Sequence, residues 1–420
     1  MNPGRLRLSV VMDPFFRAFP SPTPRATVKA WAPWPSLITS PARALYRLKQ
    51  RSVAAVLGPA AGIWHSVMTP HERARDKGDT RLLAVIERLH DEALTKDYEA
   101  AEAGLYPRSI IFPLPGWHDV RFLPEALLDL PQILRRKRRG DFLVHFVPTR
   151  RRWPSVVLHG LRPASWTPSA PVPPGDDVSG ALPDYYMRTF HWQTDGWMSA
   201  HSARIYELQV EFLFFGTMDV MRRRGLAALV RGLRRGSAGK EPRILDVACG
   251  TGRLLEQARA ALPNAGLEGV DLSPYYVKRA AARLRGAARD RRRGERHEVR
   301  VANAEALGGP DGAYDAVTCG FLFHELPKDA RRRVAKELWR VLKPGGLVVV
   351  QDSMQRMDPN GRALTAFLDW FPGAYHEPYY KGYTADDLAV ILEETGFEVE
   401  ARDYVLFSKV VVGRKRQVGS

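Results

Sequence analysis

Residues 244–255 read Ile-Leu-Asp-Val-Ala-Cys-Gly-Thr-Gly-Arg-Leu-Leu, a pattern that predicts a short buried strand, a glycine turn and the start of a helix. Gly250 and Gly252 lack a Cβ, so the backbone can turn sharply there and a ligand can approach it closely. Asp246 at the strand end, followed by glycines at this spacing, is typical of a nucleotide site at the carboxyl edge of a parallel sheet. Glycine turns after strands are also common for structural reasons, so this stretch alone leaves both interpretations open.

A second acid at the end of the next predicted strand favours the ligand site. Residues 268–271 predict that strand, and Ser273 and Pro274 suit the N-cap and the first position of the following helix. Asp271 lies 25 residues after Asp246 (271 − 246), which suits the ribose-binding acid of a nucleotide-binding α/β unit. Further strands are predicted at 299–307, 314–319 and 347–352. Because strands and helices alternate, we expect an α/β fold with a parallel sheet and helices on both faces.

Four short motifs follow one another between residues 245 and 346. They are Leu-Asp-Val-Ala-Cys-Gly-Thr-Gly at 245–252, Gly-Val-Asp-Leu-Ser at 269–273, Asn-Ala-Glu-Ala-Leu at 303–307 and Trp-Arg-Val-Leu-Lys-Pro-Gly-Gly at 339–346. In this order and spacing, residues 240–412 resemble a class I S-adenosylmethionine-dependent methyltransferase of the ubiquinone and menaquinone biosynthesis type. The resemblance implies a Rossmann-like, seven-stranded sheet with closing antiparallel strands, S-adenosylmethionine as cofactor and a methyl-transferring enzyme.

The resemblance also implies which residues bind the cofactor. Asp246 and the glycine turn would hold its methionine part, Asp271 its ribose hydroxyls, and Asn303 with Ala304 its adenine. The whole set is Asp246, Ala248, Gly250, Gly252, Asp271, Leu272, Asn303, Ala304 and Cys319. Ala248 stands where many members have the first glycine, and Asn303 where an aspartate is commoner. An asparagine oxygen still accepts a hydrogen bond from an amino group, so neither departure breaks the predicted site.

Acceptor residues are expected beyond the fourth and fifth strands, at the open edge of the sheet. The sulfonium is already activated, so the protein mainly aligns the acceptor and excludes water, and a base is needed only if the acceptor loses a proton. His324 is the candidate catalytic base, and capping a loop or lining the cofactor pocket is its alternative role. The predicted substrate residues are Phe321, His324, Tyr375, Tyr379, Tyr380, His191 and Trp197. Their aromatic character favours a flat or apolar small molecule, and no metal site is predicted.

The 420 residues are long enough for about two domains. The predicted segments are a basic, poorly ordered tail at 1–70, an irregular α+β module at 71–162, a Pro-rich linker at 163–183, a helical lid segment at 184–239 and the methyltransferase domain at 240–412. By resemblance, His191, Trp192, Asp195 and Trp197 are lid candidates; packing of this aromatic segment onto the sheet is the alternative. Helices are predicted over 79–100, 203–224, 328–342 and 384–396, with the three arginines at 331–333 on a solvated face.

The net charge of +17 is concentrated in the first part of the chain. Residues 241–420 hold 28 basic and 25 acidic residues, so the first 240 hold 35 (63 − 28) and 21 (46 − 25), a net of +14. Such a field favours an anionic partner such as nucleic acid, acidic lipid or an acidic protein. The basic residues are dispersed, however, and ordinary solvated faces are the alternative.

The two cysteines, Cys249 and Cys319, are too few for a secreted disulfide framework and predict free thiols. We therefore expect a cytoplasmic protein, with an organelle as the alternative if residues 1–70 contain a transit peptide. No transmembrane segment is predicted, because the most apolar run, from Ser52 to Val67, is broken by Gly58 and Pro59.

Three other functions can be weighed against the sequence. A nicotinamide-dependent dehydrogenase would have G-x-G-x-x-G after the first strand, and Ala248 breaks that pattern. A nucleic-acid or protein methyltransferase would use the basic N-terminal half, but the motifs of amino-methylating and cytosine-C5 nucleic-acid enzymes are absent. A non-catalytic interaction protein with this fold would not need an intact cofactor site. The sequence favours methyl transfer to a small molecule and leaves oxygen, carbon and nitrogen acceptors open.

Overall fold

The computed structural model describes residues 42–50, 80–112, 121–129, 182–188, 196–214, 216–236, 241–286, 297–359 and 362–416. A seven-stranded sheet lies at the centre of the C-terminal half. Its strands are β1 (Arg243–Val247), β2 (Gly266–Asp271), β3 (His297–Val301), β4 (Tyr314–Gly320), β5 (Leu342–Ser353), β6 (Phe397–Val405) and β7 (Ser408–Lys415). Their spatial order is β3-β2-β1-β4-β5-β7-β6. β7 runs antiparallel to β5 and to β6, and the other neighbouring strands are parallel. The predicted α/β sheet with closing antiparallel strands is confirmed.

Helices accompany the sheet on both faces. They are α1 (42–50), α2 (Thr80–Glu102), α3 (123–129), α4 (Ala200–Leu213), α5 (Met218–Arg235), α6 (Arg253–Ala261), α7 (Pro274–Gly286), α8 (Lys328–Val341), α9 (Arg362–Tyr375), α10 (Tyr380–Thr384) and α11 (Leu388–Thr395). None of the helices in these described ranges is long and apolar enough to cross a membrane.

The two faces of β1 show why an apolar run in this position folds as a central strand. Successive side chains of a strand point to opposite faces. Ile244 packs in the core beneath α5, α6 and α7, whereas Leu245 and Val247 pack in the core beneath α8 and α11. β1 is therefore buried on both faces by apolar side chains. Asp246, near the end of this strand, and the turn that follows it lie at the carboxyl edge of the sheet.

Several element boundaries differ from the sequence prediction. The helix predicted at 203–224 is two helices, α4 and α5, separated at Gly216, whose φ is +79°. The predicted third strand, 299–307, ends at Val301, and β5 begins at Leu342 rather than 347. The last helix begins after Asp387, whose side chain accepts the backbone N–H of Ala389.

The expected solvated position of the three arginines at 331–333 is wrong for Arg331. Its side chain is buried and its guanidinium donates to the carbonyls of Phe323 and Leu326 and to Asp386. Three consecutive helical residues lie about 100° apart, so a run of three cannot all face solvent on a packed helix. Arg331 thus fixes the loop after β4, which carries His324.

Helices α1 and α2 of the N-terminal half pack in the same core as α5 and one face of the sheet, whereas Ala126 of α3 packs in a separate cluster with α4 and α9. Tyr46 of α1, which falls in the predicted tail, is fully buried and packs in the same cluster as Leu226 of α5. Asp97 of α2 accepts hydrogen bonds at 2.8 and 2.7 Å from Arg223 of α5, and the pair is buried. Residues 42–50 form a helix that packs in this core, and the predicted tail at 1–70 stays a prediction. The division at 163–183 stays a prediction, because nearly all of it lies outside the described residues.

Candidate functional site

A cavity of about 1340 Å³, including its open mouth, lies at the carboxyl edge of the sheet. It brings together most of the predicted site residues, from the ends of four parallel strands and from the segments before the sheet. Those that line it are Ala248, Gly250, Asp271, Leu272, Asn303, Ala304, Phe321, His324, Tyr380 and Trp197. The parallel arrangement explains this convergence, because the carboxyl ends of parallel strands meet at one edge.

A second, smaller cavity of about 600 Å³ adjoins the first and shares Ala248, Gly250 and Phe321 with it. It holds the predicted residues Asp246 and Cys319. Gly252, Tyr375 and Tyr379 line neither cavity. The predicted residues His191, Trp192 and Asp195 lie outside the described residues.

The two glycines of the turn have different roles. Gly250 has φ +55°, and a Cβ added there would have no atom within 4 Å, so its backbone is open towards the cavities. Gly252 has φ +77°, and an added Cβ would lie 2.8 Å from the Cβ of Ala280, so it allows α6 to pack closely on α7. Ala248 also has a positive φ, +57°, which explains why a glycine is common in this position.

Asp271 links the end of β2 to the glycine turn. Its Oδ2 accepts the backbone N–H of Gly250 and its Oδ1 that of Ser273, both at 2.9 Å. Burial raises the pKa of this carboxyl to about 6. Each carboxylate oxygen can accept a further hydrogen bond, so Asp271 can hold a ligand hydroxyl at the cavity wall.

Asp246 is also buried and accepts a hydrogen bond of 2.7 Å from the hydroxyl of Thr318 in β4. Burial raises the pKa of its carboxyl to about 7. A buried carboxyl with a raised pKa favours a cationic partner, because a nearby positive charge offsets the cost of ionisation. Cys249 and Cys319 are buried, free thiols, as predicted.

His324 is held by an acid that was not among the predicted site residues. Its Nδ1 lies 2.7 Å from Oδ1 of Asp352 at the end of β5, and its Nε2 lies 3.5 Å from Oε1 of Glu325. Burial alone would lower the pKa of the imidazole, but Asp352 and Glu325 together raise it well above its usual value. The charged imidazolium is therefore favoured. The sequence signal that could have identified Asp352 is its position as an acid at the end of a predicted strand.

An aromatic wall forms the rest of the large cavity. Trp197, Tyr206 and Tyr276 contact one another edge to face, with ring centroids 5.5 to 5.7 Å apart. On the opposite side, Phe367 stacks on Phe407 at 4.7 Å. Of these residues, only Trp197 was predicted to belong to the site. The others were not predicted, because an apolar residue that packs in a core has the same sequence pattern as one that lines a cavity.

His324, Glu325 and Glu377 are the described residues whose ligand atoms all lie within 4.8 Å of one another, as a metal site would require. The ion pairs of His324 with Glu325 and Asp352 account for the imidazole without a metal. The sequence expectation of no metal site stays a prediction.

Comparison with known proteins identifies the C-terminal half. Residues 244–346 match the family described as a methyltransferase domain. This part of the chain is a methyltransferase domain. It is of the predicted class I, S-adenosylmethionine-dependent type, with S-adenosylmethionine as its cofactor. The match ends well before the closing strands and does not include α1 to α5.

The chain is similar to several individual methyltransferases. The chain is 36% identical over 156 residues to a demethylmenaquinone methyltransferase of Thermus thermophilus, covering 36% of this chain and 63% of the relative. It is 27% identical over 216 residues to one of Thermotoga maritima, covering 47% and 85%. A solved S-adenosylmethionine-dependent methyltransferase from Methanosarcina mazei is 20% identical, with a TM-score of 0.35, and the match covers 43% of this chain and 95% of that one. The chain thus spans less than two thirds of the Thermus relative.

The residues that line the cavities are chemically compatible with this cofactor. Gly250 exposes its backbone, Asp271 offers a hydroxyl acceptor, and Asn303 with Ala304 forms the wall beyond it. The rest of the large cavity is lined mainly by aromatic and apolar side chains, among them Tyr206, Tyr276 and Phe367.

Proposed function

We propose that this protein transfers a methyl group from S-adenosylmethionine to a small aromatic or apolar acceptor. One observation carries the proposal: a continuous cavity joins the cofactor-type residues Gly250 and Asp271 to an aromatic compartment that ends at His324. The bound cofactor would supply an activated methyl group. The protein would then have to orient the acceptor and exclude water, and a deep, mainly apolar cavity is suited to both.

The residues of each end would have separate tasks. Asp271 would hold the ribose, and Asp246 and the turn at Gly250 the methionine part. Tyr206, Tyr276 and Phe367 would position a flat acceptor against the methyl group through ring contacts. The division between the two ends follows the strands, with β1 and β2 on the cofactor side and β4 and β5 on the acceptor side.

His324 faces the acceptor compartment in its charged form. A charged imidazole cannot accept a proton. Its Nε2–H lies 3.5 Å from Oε1 of Glu325, and an acceptor oxygen that took this hydrogen bond in place of the carboxylate would be stabilised as the anion of a phenol or enol. A role as general base requires the neutral imidazole, which the raised pKa disfavours at neutral pH. We therefore propose that His324 orients and stabilises an acceptor oxygen; the base role remains the alternative.

Phenolic acceptors are the first to test. The Thermus and Thermotoga relatives are named as demethylmenaquinone methyltransferases, so reduced naphthoquinones and benzoquinones, together with simple phenols, form a reasonable first set. The products of oxygen and carbon methylation have the same mass, so they would be distinguished by NMR, because the transferred methyl group is bonded to oxygen in one product and to a ring carbon in the other.

Calorimetric titration of the full chain with S-adenosylmethionine and S-adenosylhomocysteine tests the proposal. We expect both ligands to bind with one site per chain, and the acceptor screen follows with methyl-labelled cofactor. Absence of binding by a folded chain would overturn the proposal and favour a non-catalytic interaction protein. Binding without any small-molecule turnover, but with labelling of nucleic acid or protein, would favour the alternative methyltransferase class.

A further inference from the structure

The smaller cavity contains a buried arginine that comes from outside the matched methyltransferase domain. Arg222 of α5 lines this cavity together with Asp246, Gly250 and Thr251. Its side chain is about 10% exposed, so its guanidinium is largely removed from water. Neither the sequence motifs nor the family match points to this residue, because α5 precedes β1.

The guanidinium of Arg222 is held in place by two acids. Nη1 donates to Oε2 of Glu207 at 2.7 Å and to Oδ1 of Asp219 at 3.3 Å, and Nη2 donates to Oε1 of Glu207 at 3.3 Å. An arginine has five N–H donors. These three bonds within the described residues leave two donors for a ligand.

Glu207 also connects Arg222 to the glycine turn. The hydroxyl of Thr251, the residue after Gly250, donates to the same Oε1 of Glu207. Asp219 is shared with Arg253, at the start of α6, whose Nε lies 3.1 Å from both carboxylate oxygens. The acids therefore fix Arg222 beside the turn and leave it in the cavity wall.

The small cavity thus presents one positive and one negative group. Asp246 lies in the same cavity, and the charge of Arg222 lowers the pKa of its carboxyl, although burial raises that pKa more strongly. An α-amino acid carries an ammonium and a carboxylate on one carbon, and this pair of side chains is complementary to both. A planar guanidinium is well suited to a carboxylate because it can donate two parallel hydrogen bonds.

We propose that Arg222 binds the α-carboxylate of the methionine part of the cofactor, with Glu207 and Asp219 as the residues that position it. This inference rests on the proposed function, since it requires the cofactor to enter the cavity. It makes α5 part of the cofactor site. The competing explanation is that Arg222 serves only as a counter-ion for the two acids.

Two ligands that differ only at the amino-acid end separate these explanations. S-adenosylhomocysteine carries the α-carboxylate, whereas 5′-methylthioadenosine has the same nucleoside and sulfur without the amino-acid part. Binding of each is measured by calorimetry to the full chain and to Arg222→Gln. We expect the Kd of S-adenosylhomocysteine to rise about 10- to 100-fold in the variant, the range for a lost charge-assisted hydrogen bond, and the Kd of 5′-methylthioadenosine to change less than about twofold.

Arg224→Gln is the matched control. It removes the same charge from the same helix, but Arg224 pairs with Asp403 of β6 and lines neither cavity. Both ligands should bind this variant as they bind the unchanged protein. If Arg222→Gln does not fold, Arg222→Lys is used instead, because lysine keeps the positive charge but lacks the planar guanidinium that donates two parallel hydrogen bonds. The loss of affinity in this variant should again be confined to S-adenosylhomocysteine.

An equal loss for both ligands, or no loss for either, would overturn the proposal. A purely structural arginine would give the first result and an arginine that the ligand does not reach would give the second. If the unchanged protein binds neither ligand, the proposed function fails first, and this outcome is distinct from both.

Discussion

At the β1–β2 end of the cavity, backbone groups make the main contacts, and Asp271 accepts N–H groups from Gly250 and Ser273. At the β4–β5 end, side chains contact one another, and His324 lies between Asp352 and Glu325. In the large cavity, the first end is shaped by the two turns that follow β1 and β2. The second is assembled from separate elements, and its chemistry depends on how those elements pack. We therefore expect substitutions at the two ends to have different effects.

The largest expected effect is on turnover at the histidine end. His324→Ala should lower kcat about 100-fold or more, because the group facing the acceptor is removed. The Kd of S-adenosylhomocysteine should change less than about threefold. Steady-state kinetics and calorimetry measure the two quantities. An equal loss in both would mean that His324 belongs to the cofactor pocket, and the contrast between the two ends would fail.

The direction of the pH dependence separates the two roles of His324. If the charged imidazole donates to the acceptor, kcat should fall as pH rises through its raised pKa; if the neutral imidazole is a base, kcat should rise there. Asp352→Asn removes the charge that raises this pKa and should move the transition to lower pH. A transition that stays in place in this variant would assign it to another group.

Asp271→Ala should weaken cofactor binding by at least about tenfold, because a charge-assisted hydrogen bond to the ribose is lost. Asp311→Ala, which changes an exposed acid paired with Arg340, is the control and should bind normally. In the unchanged protein, affinity should be constant above about pH 8 and fall as the pH is lowered through about 7 and about 6, where the carboxyls of Asp246 and Asp271 take up protons; in Asp271→Ala only the fall near pH 7 should remain. Affinity that is independent of pH over this range would contradict the ribose assignment.

The smallest expected effects are those of substituting Gly250 and Gly252, the two glycines of the turn after β1. Gly252→Ala should lower the free energy of unfolding by about 1 to 3 kcal/mol, because the added Cβ would meet Ala280 and the backbone has a positive φ. Gly250→Ala has open space around it and should cost less stability but more cofactor affinity. Urea unfolding and calorimetry on both variants give the comparison. The same ranking in both measurements would show that the two glycines have one shared role.

The sequence predicted the sheet, because contiguous residues determine a strand, a turn and its caps. The cofactor-binding roles of the residues at the β1–β2 end stay a prediction. Asp271 and Gly250 are recognisable from spacing alone. The contacts of Asp352 with His324 and of Arg222 with Glu207 were not predicted, because no sequence motif links the two residues of either pair. The predicted solvent exposure of Arg331 was wrong for a related reason. Three consecutive arginines have the same sequence pattern whether or not one of them donates hydrogen bonds to backbone carbonyls of a neighbouring loop.

Three consecutive arginines of α5 reach three different parts of the molecule. Arg222 lies in the small cavity, Arg223 pairs with Asp97 of α2, and Arg224 pairs with Asp403 of β6. A single helix thus ties the N-terminal helices, the cofactor side and the far edge of the sheet together. A gene fusion or recombination that moved only residues 244–346 would leave this helix behind. A segment that keeps these three contacts is therefore larger than the matched domain, because it must include α5 and the residues that pair with it.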